Sequence, residues 1–462
     1  MTPNATGKRK AVDSPNPPPS IKRSLQSTVT KSAVANFFTP ASQKPKDRTT
    51  WSQRRLSLDA PTTLLVGCHV PLGHDEQAAP RCKLAAFDLD STLITTASGK
   101  KHASNAGDWK WWDSSVPGKL RELHHKQGYQ VVILSNQGGL TLHFNSAFKG
   151  PKASAQKRVS DFKQKCTAIL SSLDLPTSIY AATANDMYRK PRDGMWREAC
   201  KDYGMSESTL DIANSFFVGD AGGRTAVAST CPDGNGSATS ATKDFSCSDR
   251  NLAHNLGITY QTPEEYFLDE KPRDFCHGLD FAAYPYKGDG HFEQVDFEKK
   301  DDCDVILFCG PPAAGKSTFF WRHLEPLGYE RVNQDLLKSR EKCLQVAKEL
   351  LASKKSIAID NTNADVETRA LWVGLAKKNK VPIRCLWFRT PLHLCEHNDA
   401  VRALNQTLNP EARPGLPKLA FTSFASRYKV PTSAEGFEDV VPIEFTFGGS
   451  RQDHQIWARY WL

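Results

Sequence analysis

Two carboxylates one residue apart, Asp88 and Asp90, close the run Leu84-Ala85-Ala86-Phe87-Asp88-Leu89-Asp90-Ser91-Thr92. The apolar half reads as a short buried strand, and side chains two apart on a strand share a face. Just past the carboxyl end of a parallel strand, where open α/β sheets form their sites, both acids can converge on one ligand. Carboxylates this close repel unless a cation or a shared proton offsets them, so the pattern predicts Mg²⁺ and phosphoryl chemistry. Three more polar residues end or follow apolar runs: Ser135 after Val131-Val132-Ile133-Leu134, Lys190 on a basic loop, and Asp220 after Phe216-Phe217-Val218-Gly219. These types suit a phosphomonoesterase that works through an aspartyl phosphate. One carboxylate attacks phosphorus, a second acid serves the leaving oxygen and then water, and Ser135 and Lys190 hold the non-bridging oxygens. Asp88 and Asp220, with a backbone carbonyl, are expected to hold Mg²⁺, and Asp90 is counted among the metal ligands.

A second chemistry begins at Gly310-Pro311-Pro312-Ala313-Ala314-Gly315-Lys316-Ser317-Thr318, which fits G-x-x-x-x-G-K-[ST] in full. Gly310 and Gly315 let backbone N–H groups wrap phosphates, Lys316 reaches the β/γ oxygens of ATP, and Ser317 binds Mg²⁺ with Thr318 beside it. Asp335 is placed to accept a proton from an attacking hydroxyl. Asp360 ends a later strand, either as a metal-site carboxylate or as a structural hydrogen-bond acceptor. Arg402, in a polar helical stretch over residues 392–408, either closes over the phosphates or salt-bridges locally. His393-Leu394-Cys395-Glu396-His397 fits a zinc motif, H-x-x-E-H, but has no third ligand, so His397 is expected to pack or bond within its helix.

Strand and helix patterns alternate around both constellations, as in parallel-sheet α/β domains. Strands are expected at Leu84–Phe87, 131–134, 179–183, 215–218, 304–309, 357–360 and 383–388, with helices at 117–126, 155–173 and 195–203. The reading is a disordered basic tail over 1–58, a first domain over 59–272, a linker over 273–302 and a second domain over 303–462. Residues 231–242 read as a Gly/Ser/Thr-rich insertion.

The net charge of +9 sits in the tail: residues 1–55 hold eleven Lys/Arg and two Asp/Glu, and the remainder balances at 49 of each sign. Bulk charge therefore says nothing about the core's substrate. Twelve Cys without a C-x-x-C pair suit a reducing compartment. No apolar run approaches the roughly 20 residues of a membrane helix, and no signal-peptide core is present, so a soluble, non-membrane protein is expected. Lys8-Arg9-Lys10 and Lys22-Arg23 resemble a bipartite nuclear import signal, with a solvated basic tail as the alternative. Val34-Ala35-Asn36-Phe37-Phe38 reads either as a degenerate sliding-clamp-binding box or as an adventitious aromatic pair.

D-x-D-[ST]-T, the strand-end Ser, the Lys and the G-D together resemble the four motifs of the haloacid-dehalogenase phosphatase superfamily. The resemblance implies Asp88 as nucleophile and Asp90 as acid/base; Asp244 and Asp249 lie near the site in that pattern without an assigned role. The wider core resembles the polynucleotide kinase 3′-phosphatase family. Segments such as Ser135-Asn136-Gln137, Arg189-Lys190-Pro191, Val218-Gly219-Asp220-Ala221 and Ile359-Asp360-Asn361-Thr362-Asn363 carry the match.

That resemblance implies an enzyme of DNA strand-break repair that uses Mg²⁺ and ATP; a nuclear location is expected from the basic import-like motif, and a monomer is expected. It would remove 3′-phosphates and phosphorylate 5′-hydroxyls; healing of RNA or tRNA ends is the alternative. Gln334 stands where relatives often carry a basic residue, and a disordered tail is expected where animal relatives carry a phosphopeptide-reading domain. Arg189, Lys190 and Arg192 are expected to grip phosphates. Trp111 and Trp112 either stack on a base or pack in the core, and the same choice holds for Trp457 and Trp461 beside Arg451 and Arg459.

Overall fold

The computed structural model describes residues 48–72, 81–144, 148–226, 242–288 and 297–462. The import motif, the Phe37-Phe38 segment and all but the last residue of the 231–242 insertion lie outside them.

The first sheet comprises β1 (Thr49–Arg54), β2 (Leu64–His69), β3 (Leu84–Phe87), β6 (Gln130–Asn136), β7 (Thr177–Ala182), β8 (Phe216–Val218) and β9 (Thr259–Gln261); a small hairpin supplies β4 (Ile94–Thr95) and β5 (Lys110–Trp111). Its order is β1-β2-β7-β6-β3-β8-β9. The five strands from β7 to β9 run parallel, and β2 and β1 add antiparallel at one edge. In β3, alternation sends Ala85 and Phe87 to a core shared with Val131, Ile133, Leu120 and Ile169, while Leu84 and Ala86 join Val132, Leu134, Trp196 and Phe217 on the opposite face. With both faces covered, β3 must be apolar throughout, and its first polar side chain appears where the strand ends.

The edge strand is a correction. Thr49–Arg54 falls within the expected tail, yet it pairs along all of β2 and lays Trp51 over Gly67, where any side chain would collide with the indole. Its sequence, TTWSQR, is half-exposed and mostly polar, so the apolar pattern does not show it.

The second sheet, order β11-β12-β10-β13-β14, is wholly parallel: β10 (Val305–Cys309), β11 (Glu330–Val332), β12 (Ile357–Ile359), β13 (Ile383–Phe388) and β14 (Val440–Ile443). The central strand β10 is buried on both faces. The expected linker is in part docked: Cys276 N–H donates to the Gly223 carbonyl, and Phe281 and Tyr284 pack with Leu394, Trp457 and Trp461. Trp457 and Trp461 are thus seam residues, buried to 3% and 6% exposure, and not platforms for a base. Trp111 and Trp112 pack, partly buried, against the first core. Among the described residues no helix is long and apolar enough to cross a membrane.

Candidate active sites

In the first half the functional side chains gather where neighbouring parallel strands end. Asp88 follows β3, and its N–H donates to the Val218 carbonyl at 2.8 Å, which seats the acid beside the end of β8. Ser135, fully interior, lies within β6, and Gln137 Nε2 donates to its Oγ at 2.9 Å. Lys190 arrives on a loop pinned by Asn136: the Lys190 N–H donates to Asn136 Oδ1 at 3.0 Å, and Asn136 Nδ2 donates back to the Lys190 carbonyl at 3.2 Å. The buried ammonium then meets Asp88 at 2.5 Å and Asp249 at 2.9 Å.

Asp88, Asp220 and Asp249 each bring a carboxylate oxygen within 4.8 Å of the others. Three acids and one ammonium leave the group short of positive charge. Burial, then the charges of Asp249 and Asp90, push the Asp88 carboxyl up to about 7 although Lys190 pulls it down. Burial and the charges of Asp88 and Asp249 push Asp220 up to about 8. Asp249 Oδ1 is buried and shares the single Lys190 ammonium with Asp88. Hard oxygen donors and excess negative charge together fit a small divalent cation such as Mg²⁺.

Asp90 stands apart from this group. β3 stops at Phe87 and the chain turns at once, with Leu93 N–H bonding to the Leu89 carbonyl, so strand alternation no longer governs residue 90. Its carboxylate is half-exposed, accepts from Gln137 Nε2 at 2.7 Å and lies 3.2 Å from Lys165 Nζ. The third acid of the cluster is instead Asp249, on the helix Ser248–Leu256. It approaches so closely that a Cβ at Gly219 would fall inside its carboxylate, and Oδ2 accepts from Ala221 N–H at 3.1 Å. Asp244 has a different job: it accepts from the N–H groups of Gly222 and Arg224 and from the Arg224 guanidinium, clamping the loop after β8. Arg192 is interior, donating to Asn185 Oδ1 and the Asp186 carbonyl, which removes it from the expected phosphate grip.

In the second half, the loop from Gly310 to Ser317 joins β10 to the helix Lys316–Phe319. A side chain at Gly310 would strike Phe388, and Gly315 adopts φ +94, so both glycines are demanded by the backbone. Ala313, at φ +57, is held by Asn398, whose Nδ2 donates to its carbonyl at 3.2 Å. Lys316 is buried, which lowers its pKa, and its ammonium donates to the carbonyls of Gly310, at 3.0 Å, and Pro311. Ser317 Oγ donates to Asp360 Oδ2 at 2.8 Å, and Asp360 also accepts from Arg331 Nε at 2.8 Å. Asp360 therefore both touches the phosphate-loop serine and anchors a buried ion pair.

A cleft of about 1370 Å³ spreads from this loop past Asp335, Asp360, Arg402 and Arg413. That exceeds the roughly 300–1,000 Å³ of one small-molecule pocket, leaving room for a nucleotide and an acceptor together. Asp335 is exposed at its mouth and pairs with Arg413 at 2.9 Å. Arg402 lines the cleft and also pairs with Asp399 at 2.5 Å, so both readings of it describe part of its surroundings. His397 is fully buried and bonds the Trp457 carbonyl at 2.9 Å; burial lowers its pKa to about 4. It is a packing residue.

Residues 83–267 match the family model described as Polynucleotide kinase 3 phosphatase, and residues 305–431 match that of an AAA domain. The bifunctional polynucleotide phosphatase/kinase of Schizosaccharomyces pombe is 35% identical over 388 residues, covering 82% of this chain and 83% of the yeast protein. The chain belongs to the bifunctional polynucleotide phosphatase/kinase family. A protein of Acanthamoeba polyphaga mimivirus, named provisionally in the same way, is 31% identical over 395 residues, 82% of this chain and 89% of its own. The polynucleotide 3′-phosphatase ZDP of Arabidopsis thaliana is 29% identical over 196 residues, 40% of this chain and 24% of that protein. The half built around Asp88 is thus a polynucleotide phosphatase, and the half built around Lys316 a polynucleotide kinase that uses nucleotide at its phosphate loop.

Proposed function

We propose that this enzyme repairs broken DNA strands in the nucleus as a monomer, removing 3′-phosphates at the first site and phosphorylating 5′-hydroxyls from ATP at the second. Support comes above all from the meeting of Asp88, Lys190, Asp220 and Asp249 at parallel strand ends.

In this reading the Asp88 carboxylate attacks phosphorus, and the bond to the 3′-oxygen breaks as Asp90 gives that oxygen a proton. Asp90 then takes a proton from the water that releases phosphate from Asp88. Its exposed position beside Gln137 suits a group that must serve both a leaving strand and solvent. Ser135 and Lys190 hold the non-bridging oxygens. Asp88, Asp220 and Asp249 would hold Mg²⁺, which when bound offsets their mutual repulsion and that of the incoming phosphate.

At the kinase site the backbone between Gly310 and Gly315, with Lys316 and Thr318, cradles the ATP phosphates, and Ser317 and Asp360 would hold its Mg²⁺. Asp335 accepts the proton of the 5′-hydroxyl as the γ-phosphoryl is transferred, and Arg402 faces the departing phosphates.

One assay tests the whole: loss of 3′-phosphate and gain of 5′-label on nicked DNA, with and without ATP and Mg²⁺. RNA oligonucleotides run in parallel decide the substrate class; faster turnover of RNA at both ends would replace DNA repair with RNA healing.

A further inference from the structure

The exposed acid Asp335 is tied to the buried centre of the kinase half by an unbroken alternation of charges. Asp360, buried, accepts from Arg331 Nε at 2.8 Å. Arg331 NH1 donates to Glu411 Oε1 at 2.9 Å. The other oxygen of Glu411 lies 2.6 Å from Arg413 NH2, and Arg413 NH1 lies 2.9 Å from Asp335 Oδ2. Since Asp360 also accepts from Ser317, this chain of five side chains runs from the phosphate loop to the acceptor side of the cleft. Glu411 and Arg413 come from the loop between the helices Leu392–Leu404 and Lys418–Arg427, far from Asp335 in sequence.

Asp335 needs such help. Its side chain is 70% exposed and rides on a helix of four residues, Gln334–Leu337. The cap residue Asn333 bonds the backbone N–H groups of Asp335 and Leu336 and leaves the carboxylate free to rotate. Among the described residues Arg413 is the ion-pair partner that carboxylate has. A base must face the proton it takes, and misplacement by about 1 Å can cost about 10²-fold in rate.

A lone exposed pair would orient little, because its ordering entropy nearly cancels its attraction. Here the far end is already fixed, with Asp360 and Arg331 mostly buried, so each later member joins an ordered partner. The planar fork of Arg413 offers separate nitrogens to Glu411 and to Asp335, which sets the angle between the two carboxylates as well as their separation.

We infer that Arg413 is a positioning residue of the kinase reaction: it aims the Asp335 carboxylate, and Glu411 holds Arg413 in place through Arg331. The inference rests on Asp335 being the base. A rival role for Arg413, gripping an acceptor phosphate, makes the opposite forecast at Glu411, because removing a negative charge there would then tighten binding.

Steady-state kinase kinetics on a 5′-hydroxyl DNA duplex, at saturating ATP and Mg²⁺, separate these. The set is wild type, Arg413→Gln, Arg413→Lys, Glu411→Gln and Asp335→Asn, with 3′-phosphatase turnover on each preparation as a check of folding. Arg413→Gln and Glu411→Gln should each lower kinase kcat about 10-fold or more, leave KM for the duplex within about twofold, and spare the phosphatase. Arg413→Lys should recover part of the loss. Wild-type kcat in Glu411→Gln, or a lower KM with unchanged kcat, overturns the inference. If Asp335→Asn is inactive while Arg413→Gln and Glu411→Gln turn over normally, the base stands and the positioning role falls. If Asp335→Asn stays active, both fall.

Discussion

Asn255 and Tyr460 exchange two hydrogen bonds: Asn255 Nδ2 donates to the Tyr460 carbonyl at 2.7 Å, and the Tyr460 N–H donates to Asn255 Oδ1 at 2.9 Å. Asn255 rides on the same helix as Asp249, so the last residues of the kinase half are fastened to the element that completes the phosphatase carboxylate group. Asn255→Leu breaks both bonds and a third, from Nδ2 to the Pro191 carbonyl at 3.0 Å, and so takes a partner from three backbone groups. The expected loss of stability is about 2 kcal/mol, measured by urea unfolding; an unchanged midpoint and slope would contradict this role.

Gly219 is the tightest point of the phosphatase site. Gly219→Ala must displace the Asp249 carboxylate. Overpacking of that kind costs about 1–3 kcal/mol, and the shifted acid should lower phosphatase turnover while kinase turnover holds. Equal loss of both activities would show that the substitution damages the fold and not the site.

The two sites should fail separately. Asp88→Asn is expected to reduce 3′-phosphate release by about 10³-fold or more with ATP-dependent labelling intact. Lys316→Ala should do the reverse. Both are read from one nicked duplex, and a single substitution that silences both ends would mean that one half depends on turnover in the other.

The acidic cluster links stability to pH in a defined direction. Folding raises Asp88 to about 7 and Asp220 to about 8. Their unfolded values lie near 4, so between about pH 4 and about pH 8 the metal-free folded chain binds protons that the unfolded chain has released. Stability from these groups is present at the acid end and is lost as pH rises through the folded values. Mg²⁺ needs the carboxylates ionised, so it competes with those protons. The gain in melting temperature on replacing EDTA with Mg²⁺ should therefore grow across that window. A gain that is flat with pH would argue against these acids as the ligands.

Much of the architecture could be read from the residues because central parallel strands must be apolar throughout. Leu84–Phe87, Val131–Leu134 and the strand before Gly310 announce themselves in this way, and so do the polar residues that mark where each one stops. Thr49–Arg54 did not, since an edge strand hides only one face and TTWSQR shows little periodicity. Asp249 was visible as a neighbour of the site but not as a member, because its place depends on Gly219 admitting it across a fold-back of about thirty residues. Asp90 went the other way: period-two reasoning holds only within a strand, and the chain leaves the strand at Phe87. Glu411 and Arg413 lie in an irregular loop, where nothing in the order of residues says which distant side chain they will meet.

The aromatic seam carries a practical consequence for anyone cutting the chain. Phe281 and Tyr284 pack edge-to-face with Trp457, Trp457 Nε1 donates to Asn398 Oδ1, and Asn398 steadies Ala313 in the phosphate loop. A fragment started at residue 303 would uncover a greasy wall and slacken the nucleotide cradle in one stroke. The smallest workable kinase piece should begin ahead of Leu279, carrying with it a strip that sequence alone would have discarded as a tether.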